Sequence, residues 1–255
     1  MKIHPTAVID ARAELGDDVN VGPYAVIEED VQVGKGCKIG PHAYLARGAR
    51  LSENVQVFNG AVIATAPQDL KFKGEYSVVE IGARTIVREF VTIHRGTDAT
   101  GRTVVGSDCF LMAYSHVAHD CVLEDKVIIA NSVNLAGHVH LEEYVAIGGV
   151  VPIHQFVRIG RHAFIAGGTR VPKDVPPYIL AANEPLKFAG LNSVGLKRRG
   201  FSAETMAQIK HAYHLIYNSD LNVSQAISRI RSEMNLTPEI RHIIEFIEKS
   251  ERGII

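Results

Sequence analysis

The chain has 255 residues, 46% hydrophobic, 22% charged and 7% aromatic, with a formal net charge of −1 at pH 7. Such a composition fits a soluble globular protein and sets aside disorder, and near-neutrality gives no electrostatic footprint for nucleic acid or an anionic membrane. "MKIHPTAVID" has no basic start leading into an apolar run, so no signal peptide is expected, and no apolar stretch of about 18 residues is present to span a bilayer.

From Ile3 the chain repeats every six residues, through Ile9, Leu15, Val21 and Ile27 to Val57 and Ile63. The same phase returns at Ile81, Val87 and Ile93 and runs unbroken from Val105 to Val171. Of the 29 positions in this series only Asp69, Glu75 and Ala99 are not aliphatic. Four residues after each aliphatic comes a small or branched side chain, such as Ala7, Ala25, Cys37, Val127 or Val145. A strict six is neither the 3.6 period of a helix nor the alternation of a strand. It is the period of a parallel β-helix with a thin prism core, in which three units make one coil of about 18 residues. The absence of Trp suits so narrow an interior. Cys37, Cys109 and Cys121 all take the small inward position and form no CxxC pair, which favours buried free thiols and a reducing cytoplasm. The period does not give the hand of the coil.

The exceptions lie in "APQDLKFKGEYS" and "RGTDATGRT", polar segments that read as loops near 66–78 and 97–103 thrown out of the coil. The period ends at "KDVPPYIL". From Ser202 the pattern turns helical, with Ser as an N-cap, then "NVSQAISRIRSEMN", then a helix opened by Thr-Pro in "TPEIRHIIEFIEKSERG". The reading is a β-helix over 1–175 followed by a connector and a helical domain over 176–255.

Residues 18 apart stack in columns. Counting in the unbroken stretch puts His119 in line with Gly137 and Gln155, and Asp120 in line with His138, with His154 beside Gln155. One edge therefore carries three histidines, an Asp, a Gln and a Gly over three successive coils. An isolated corner histidine is usually just solvated, and His4, His42, His94, His162, His211, His214 and His242 are read that way. The converging set has the makings of a site. A neutral imidazole near pH 7 can take a proton from a hydroxyl, and Asp120 could orient it. The Gly137 N–H could serve a tetrahedral oxyanion. Ser115 and Cys121 are the only nearby nucleophile types and Cys121 points inward, so direct transfer to an acceptor hydroxyl is favoured over a covalent enzyme intermediate. One edge cannot enclose a substrate, and a triangular prism suggests a trimer with clefts between copies. Two alternatives stay open: a zinc site built from His116, His119 and His138, or a scaffold with no chemistry.

The motifs "VTIHRGT", "AHDC", "LAGHV", "HQF", "DVPPY" and "GLKRRGF", with the "APQDLKFKGE" loop, closely resemble those of the UDP-N-acetylglucosamine O-acyltransferases that commit bacteria to lipid A synthesis. The likeness covers essentially the whole chain. It implies an all-β left-handed parallel β-helix with a small all-α C-terminal domain, assembled as a homotrimer with sites between subunits. It implies transfer of an R-3-hydroxyacyl chain from the phosphopantetheine thioester of acyl carrier protein to the glucosamine 3-position, with no bound cofactor and no metal. His119 would be the general base, Asp120 its partner and Gly137 the oxyanion donor. Asp69, Lys71, His116, His138, His154, Gln155, Asn192, Arg198 and Arg199 would contact the sugar nucleotide or the acyl donor. Gly167 would set acyl length, and as glycine leaves room for a long chain. Val194 departs from members that carry an acidic residue there, so base recognition differs in detail. Lys71 and the arginine pair can neutralise pyrophosphate charge, and a basic tail suits an acidic carrier protein.

Overall fold

The computed structural model describes residues 1–255. Short parallel strands, most of them two residues long, wind around three faces: an eleven-stranded first face and second and third faces of eight strands each. Lys2 pairs with Asn20 on the first face, Val8 with Val26 on the second and Glu14 with Gln32 on the third. One circuit thus takes 18 residues, three hexads. The coil is left-handed, opposite to the usual crossover sense of parallel sheets.

The hexad explains its own residues. Each sixth-position aliphatic points inward, and all those from Val21 to Val171 are buried. The small residue four places later fills the remaining space, as Ala25, Ala43 and Val127 do. No aromatic ring enters this interior; the buried rings Tyr178, Tyr213 and Phe246 sit at its end and in the helices. The three cysteines are buried and unpaired, and burial pushes the thiols of Cys109 and Cys121 up to about 11 and about 12. They are packing groups, not nucleophiles. Three residues after most of these aliphatics the chain turns a corner through a positive φ, as at Asp18, Tyr24, Asp30 and His42 (φ between 54° and 58°). Side chains seldom adopt that region, and Asp, Asn and His are enriched there.

The interruptions keep the phase because they are whole hexads. Val62 pairs with Thr92, a step of 30, and Thr92 with His116, a step of 24; the other faces repeat the sequence 30, 24, 18. The insertions are therefore 12 and 6 residues. They leave the coil at 66–77 and 95–101, so Val78 and Arg102 already belong to strands. Glu75 accepts the Asp98 N–H at 3.3 Å and links the two loops.

Beyond Val171 the connector does more than link. Strand Ile179–Ala182 extends the first face in parallel, and Lys187–Leu191 returns antiparallel to it. Four helices follow: α1 (Ser193–Arg198), α2 (Ala203–Tyr217), α3 (Val223–Glu233) and α4 (Pro238–Glu248). Ser202, Asn222 and Thr237 cap the last three with side-chain oxygens, and Pro238 opens α4. The helices are pinned to the coil by Tyr213 Oη donating to Pro177 O at 2.6 Å, His242 Nε2 to Glu142 at 2.7 Å and Ser250 to Asp174 at 2.7 Å. No helix is long and apolar enough to cross a membrane.

Candidate active site

The corner between the second and third faces stacks Asp120, His138 and Phe156, each with φ between 60° and 64°. Columns of 18 place them: Val117 pairs with Leu135 and Leu135 with Ile153. His119 and Gly137 come one residue earlier in successive coils. His119 Nδ1 lies 2.7 Å from Asp120 Oδ2. A carboxylate can only accept, so Nδ1 carries a proton, and in the neutral imidazole this tautomer puts the lone pair on Nε2. A Cβ on residue 137 would lie 2.6 Å from His119 Cε1 and 2.7 Å from Nε2. Gly137 is thus the floor under the imidazole and leaves no room for a methyl group. Its N–H has no partner in the chain. The coil does not need that amide: equivalent turn positions elsewhere are Pro5, Pro23 and Pro41, which have none to give.

Asp120 is fully withdrawn from solvent and densely hydrogen-bonded. Oδ1 accepts the Thr97 N–H at 3.0 Å and the Thr100 hydroxyl; Oδ2 accepts the Thr97 hydroxyl at 2.8 Å as well as His119. Its own N–H donates to Thr103 Oγ1 at 2.8 Å. Burial opposes its ionisation, but the bonds from Thr100, His119 and Thr97 outweigh that and hold the carboxyl below its ordinary value. It is a fixed anion at neutral pH.

The neighbouring imidazoles are held neutral. Burial lowers His138, against the opposing pull of Asp120, with His119 lowering it further and Asp69 raising it. The His138 ring meets His119 edge-on at 5.2 Å between centroids and stacks on Phe156 at 4.5 Å. Its Nε2 is 3.7 Å from Asp120 Oδ2, too far for a hydrogen bond. His116, one strand earlier, bonds Thr92 Oγ1 through Nδ1 at 2.7 Å and is lowered by burial and by His119. His94 packs against His116 at 4.8 Å and is pushed down to about 4, chiefly by burial. The residues within mutual reach of a metal ion are His119, Asp120 and His138; His116 lies outside that set.

The structure therefore brings His119, Asp120, Gly137 and His138 together, with His116 on the adjoining strand and exposed His154 and Gln155 on the next coil. Asp69 is close enough for its charge to act on His138, while Lys71 is exposed on the same loop. The rest lie elsewhere. Asn192 caps α1 through Gly195 N–H and donates to His162 O at 2.9 Å. With Arg198, Arg199 and Val194 it borders a groove of about 560 Å³ floored by Ile128, Ala146, Phe164 and Leu180 of the first face. Arg199 also stacks over Tyr144, 4.9 Å from the ring centroid. Gly167 sits at the corner between first and second faces, where a Cβ would come 3.1 Å from Gly149 O. In a three-faced prism the first face is opposite the His119 corner, so this second group does not join the first within one chain. Sequence reasoning missed Thr97, Thr100 and Phe156, and it placed His94 among the bland histidines. "VTIHRGT" contained two of these four residues, His94 and Thr97.

Comparison with known proteins bears on these two groups. Residues 174–255 match the family described as "Udp N-acetylglucosamine O-acyltransferase; Domain 2", and 12–47 and 102–137 match the bacterial transferase hexapeptide family of six repeats. An acyl-acyl-carrier-protein–UDP-N-acetylglucosamine O-acyltransferase from an Anaeromyxobacter species is 45% identical over 255 residues, covering 100% of this chain and 99% of the relative. One from Chlorobaculum parvum is 50% identical over 252 residues, 98% of this chain and 96% of the relative. The chain belongs to the acyl-acyl-carrier-protein–UDP-N-acetylglucosamine O-acyltransferase family. Among solved structures, the UDP-N-acetylglucosamine acyltransferase of Bacteroides fragilis superposes with a TM-score of 0.98 at 44% identity over 99% of both chains. A structure from Acinetobacter baumannii gives 0.97 at 40% over the full length of both. Membership of this acyltransferase family makes the chain an enzyme and sets aside the reading of it as a scaffold with no chemistry.

Proposed function

We propose that this acyltransferase moves an R-3-hydroxyacyl chain from the thioester of acyl carrier protein to the 3-hydroxyl of UDP-N-acetylglucosamine, opening lipid A synthesis in the cytoplasm. The observation that carries the mechanism is the commitment of His119 Nδ1 to Asp120, which leaves the Nε2 lone pair above Gly137. Nε2 takes the proton of the sugar hydroxyl as its oxygen attacks the thioester carbonyl. The Gly137 N–H holds the tetrahedral oxyanion. Collapse breaks the carbon–sulfur bond, and the imidazolium returns its proton to the departing pantetheine sulfur. Asp120 stays ionised throughout and stabilises the imidazolium. Ser115 and Cys121 are buried, which supports direct transfer without an acyl-enzyme. The thioester is already activated, so no cofactor is needed. The two Asp120 oxygens already accept four bonds, which argues against their serving as metal ligands.

Asp69, Lys71, His116, His138, His154 and Gln155 surround the sugar nucleotide in this reading. Asn192, Arg198 and Arg199 come from a second copy, because their face is opposite the His119 corner of their own chain. That split supports a homotrimer with sites between protomers. The apolar floor of the first-face groove suits the acyl chain, its arginine rim the phosphopantetheine and the acidic carrier protein. Gly167 keeps space for a long chain, and Val194 meets the uracil without an acidic partner.

The test is incubation of the purified protein with UDP-N-acetylglucosamine and a panel of R-3-hydroxyacyl carrier proteins, with product mass as readout. A 3-O-acylated sugar nucleotide is expected. No transfer at any chain length, or transfer only to a 3-amino analogue, overturns the proposal.

A further inference from the structure

We infer that Thr97 is a positioning residue for acyl transfer: acting through Asp120, it aims the carboxylate that fixes the tautomer of His119. The inference rests on the general-base reading of His119 and adds the part of the molecule that makes that base competent.

The Asp120 side chain is 0% exposed, so no solvent can substitute for a lost donor. An ionised carboxylate offers about four acceptor sites, and four donors occupy them. Thr97 supplies two, one to each oxygen, through its N–H and its hydroxyl. The bridge fixes the carboxylate plane, a torsion that is otherwise soft. Oδ2 is then presented to His119 Nδ1. Thr100 is the weaker candidate: it is exposed, and its hydroxyl, with one proton to give, also lies 2.8 Å from Arg102 O. Thr97 is buried, and its hydroxyl accepts from Ala99 N–H while donating to Asp120.

Other corner aspartates are satisfied differently. Asp30 and Asp108 pair with Arg50 and Arg84. Asp120 has hydroxyl and amide donors instead of a cation, so its full charge remains for the imidazole that gains a proton during transfer. The six-residue insertion that breaks the period supplies these donors. Thr97 and Thr100 lie in the loop and Thr103 just beyond it, three residues apart, and each bonds Asp120. The loop acts as a clamp on a buried anion.

The experiment compares kcat and KM for Thr97→Val, Thr97→Ser, Asp120→Ala, the Thr97→Val/Asp120→Ala double variant and His119→Ala, with thermal melts for each. Thr97→Val should lower kcat by roughly 10- to 100-fold, the scale of a misplaced catalytic group, with KM for UDP-N-acetylglucosamine within about twofold. Thr97→Ser should restore kcat to within about threefold of the parent. In the Asp120→Ala background Thr97→Val should change kcat by less than about twofold, since a residue that works through another has nothing left to position. An equal loss in both backgrounds, or parental kcat in Thr97→Val, overturns the inference. Should Thr97→Val fail to fold, Thr97→Ala carries the same comparison. Full activity in His119→Ala would instead remove the general-base reading, and an inactive His119→Ala beside a fully active Thr97→Val removes only the role of Thr97.

Discussion

Gly137→Ala tests the geometry of the site with one methyl group. The new Cβ would lie 2.6 Å from His119 Cε1 and 2.7 Å from Nε2, against an ordinary contact of about 3.5–4 Å between carbons. One of the two must move by about 1 Å. The Gly137 backbone is part of the coil, tied through its carbonyl to Phe156 N–H at 3.1 Å, whereas the imidazole is a side chain held at one nitrogen. The imidazole moves. A 1 Å displacement of a catalytic group costs on the order of 100-fold in rate, and the same methyl crowds the amide proposed to hold the oxyanion, so kcat should fall roughly 100- to 1,000-fold. The backbone here is not in the left-handed region, so the fold should tolerate alanine and the melting temperature should stay within a few degrees. Gly149→Ala is the control. It occupies the same turn position at another corner, where the Cβ would come no nearer than 3.3 Å, to Asn131 O. Steady-state kinetics and thermal melts of both variants decide the matter. A Gly137→Ala enzyme within about threefold of parental kcat, folded and in the parental oligomeric state, would refute the placement of His119 over Gly137 as the reacting geometry.

Three further outcomes are expected. On the proposed site between copies, which takes its corner from one protomer and its first face from another, co-expression of His119→Ala with Arg198→Ala, each expected to be impaired alone, should restore about a quarter of the sites by random mixing; no rescue in a confirmed mixed oligomer would place both residues in one protomer's site. Lys71→Ala should raise KM for UDP-N-acetylglucosamine by about tenfold, one charge-assisted bond, while an exposed loop residue leaves the melting temperature alone; an unchanged KM counts against the loop. Burial pushes His94 and His162 down to about 4, below their unfolded value near 6.5. Between those limits the unfolded chain binds more protons, so stability is complete above about pH 6.5 and declines as pH falls toward 4. His162→Phe, which can keep the stack between Tyr144 and Tyr178, should lose less melting temperature than the parent between pH 7 and pH 4.5; parallel curves would sink that account.

What the sequence disclosed follows from what a period can encode. Aliphatic residues six apart report the inward direction, and 18-residue columns bring Asp120 to His138 and Gly137 under His119 without any coordinates. Column counting holds wherever the step is 18, in the first coils from Lys2 and Asn20 and again from Val104 and Val122 onward. It fails across the insertions, which add 12 and 6 residues yet leave the phase intact, so the periodic signal does not show how far a loop reaches. Thr97 and Asp120 are 23 residues apart, a spacing no column predicts, and their contact exists only because the 95–101 loop folds back over the next corner. The strands Ile179–Ala182 and Lys187–Leu191 were hidden for the opposite reason: they extend the first face after the hexad has ended. His94 shows a third limit. Its position one past the inward Ile93 reads as outward and solvated, but the neighbouring loop and His116 cover it to 5% exposure.

These limits share one origin. A β-helix exposes its periodic residues as a ladder of equivalent corners, and equivalence carries no chemistry. Asp18, Asp30, Asp108 and Asp120 occupy the same kind of corner with nearly the same φ, yet only Asp120 has a neighbouring imidazole at hydrogen-bonding distance. The difference comes from residues outside the aliphatic ladder: a loop of threonines where an aliphatic should stand, a glycine where a side chain would collide with the His119 ring, and a face finished by strands outside the hexad. The coil supplies rigidity and spacing at low conformational cost, because each corner is held by the strand pairs above and below it. The departures supply the chemistry of the proposed site. On this scaffold the place to look for catalysis is therefore the coil immediately following a broken hexad, where a loop can reach down onto a corner that the regular structure leaves bare.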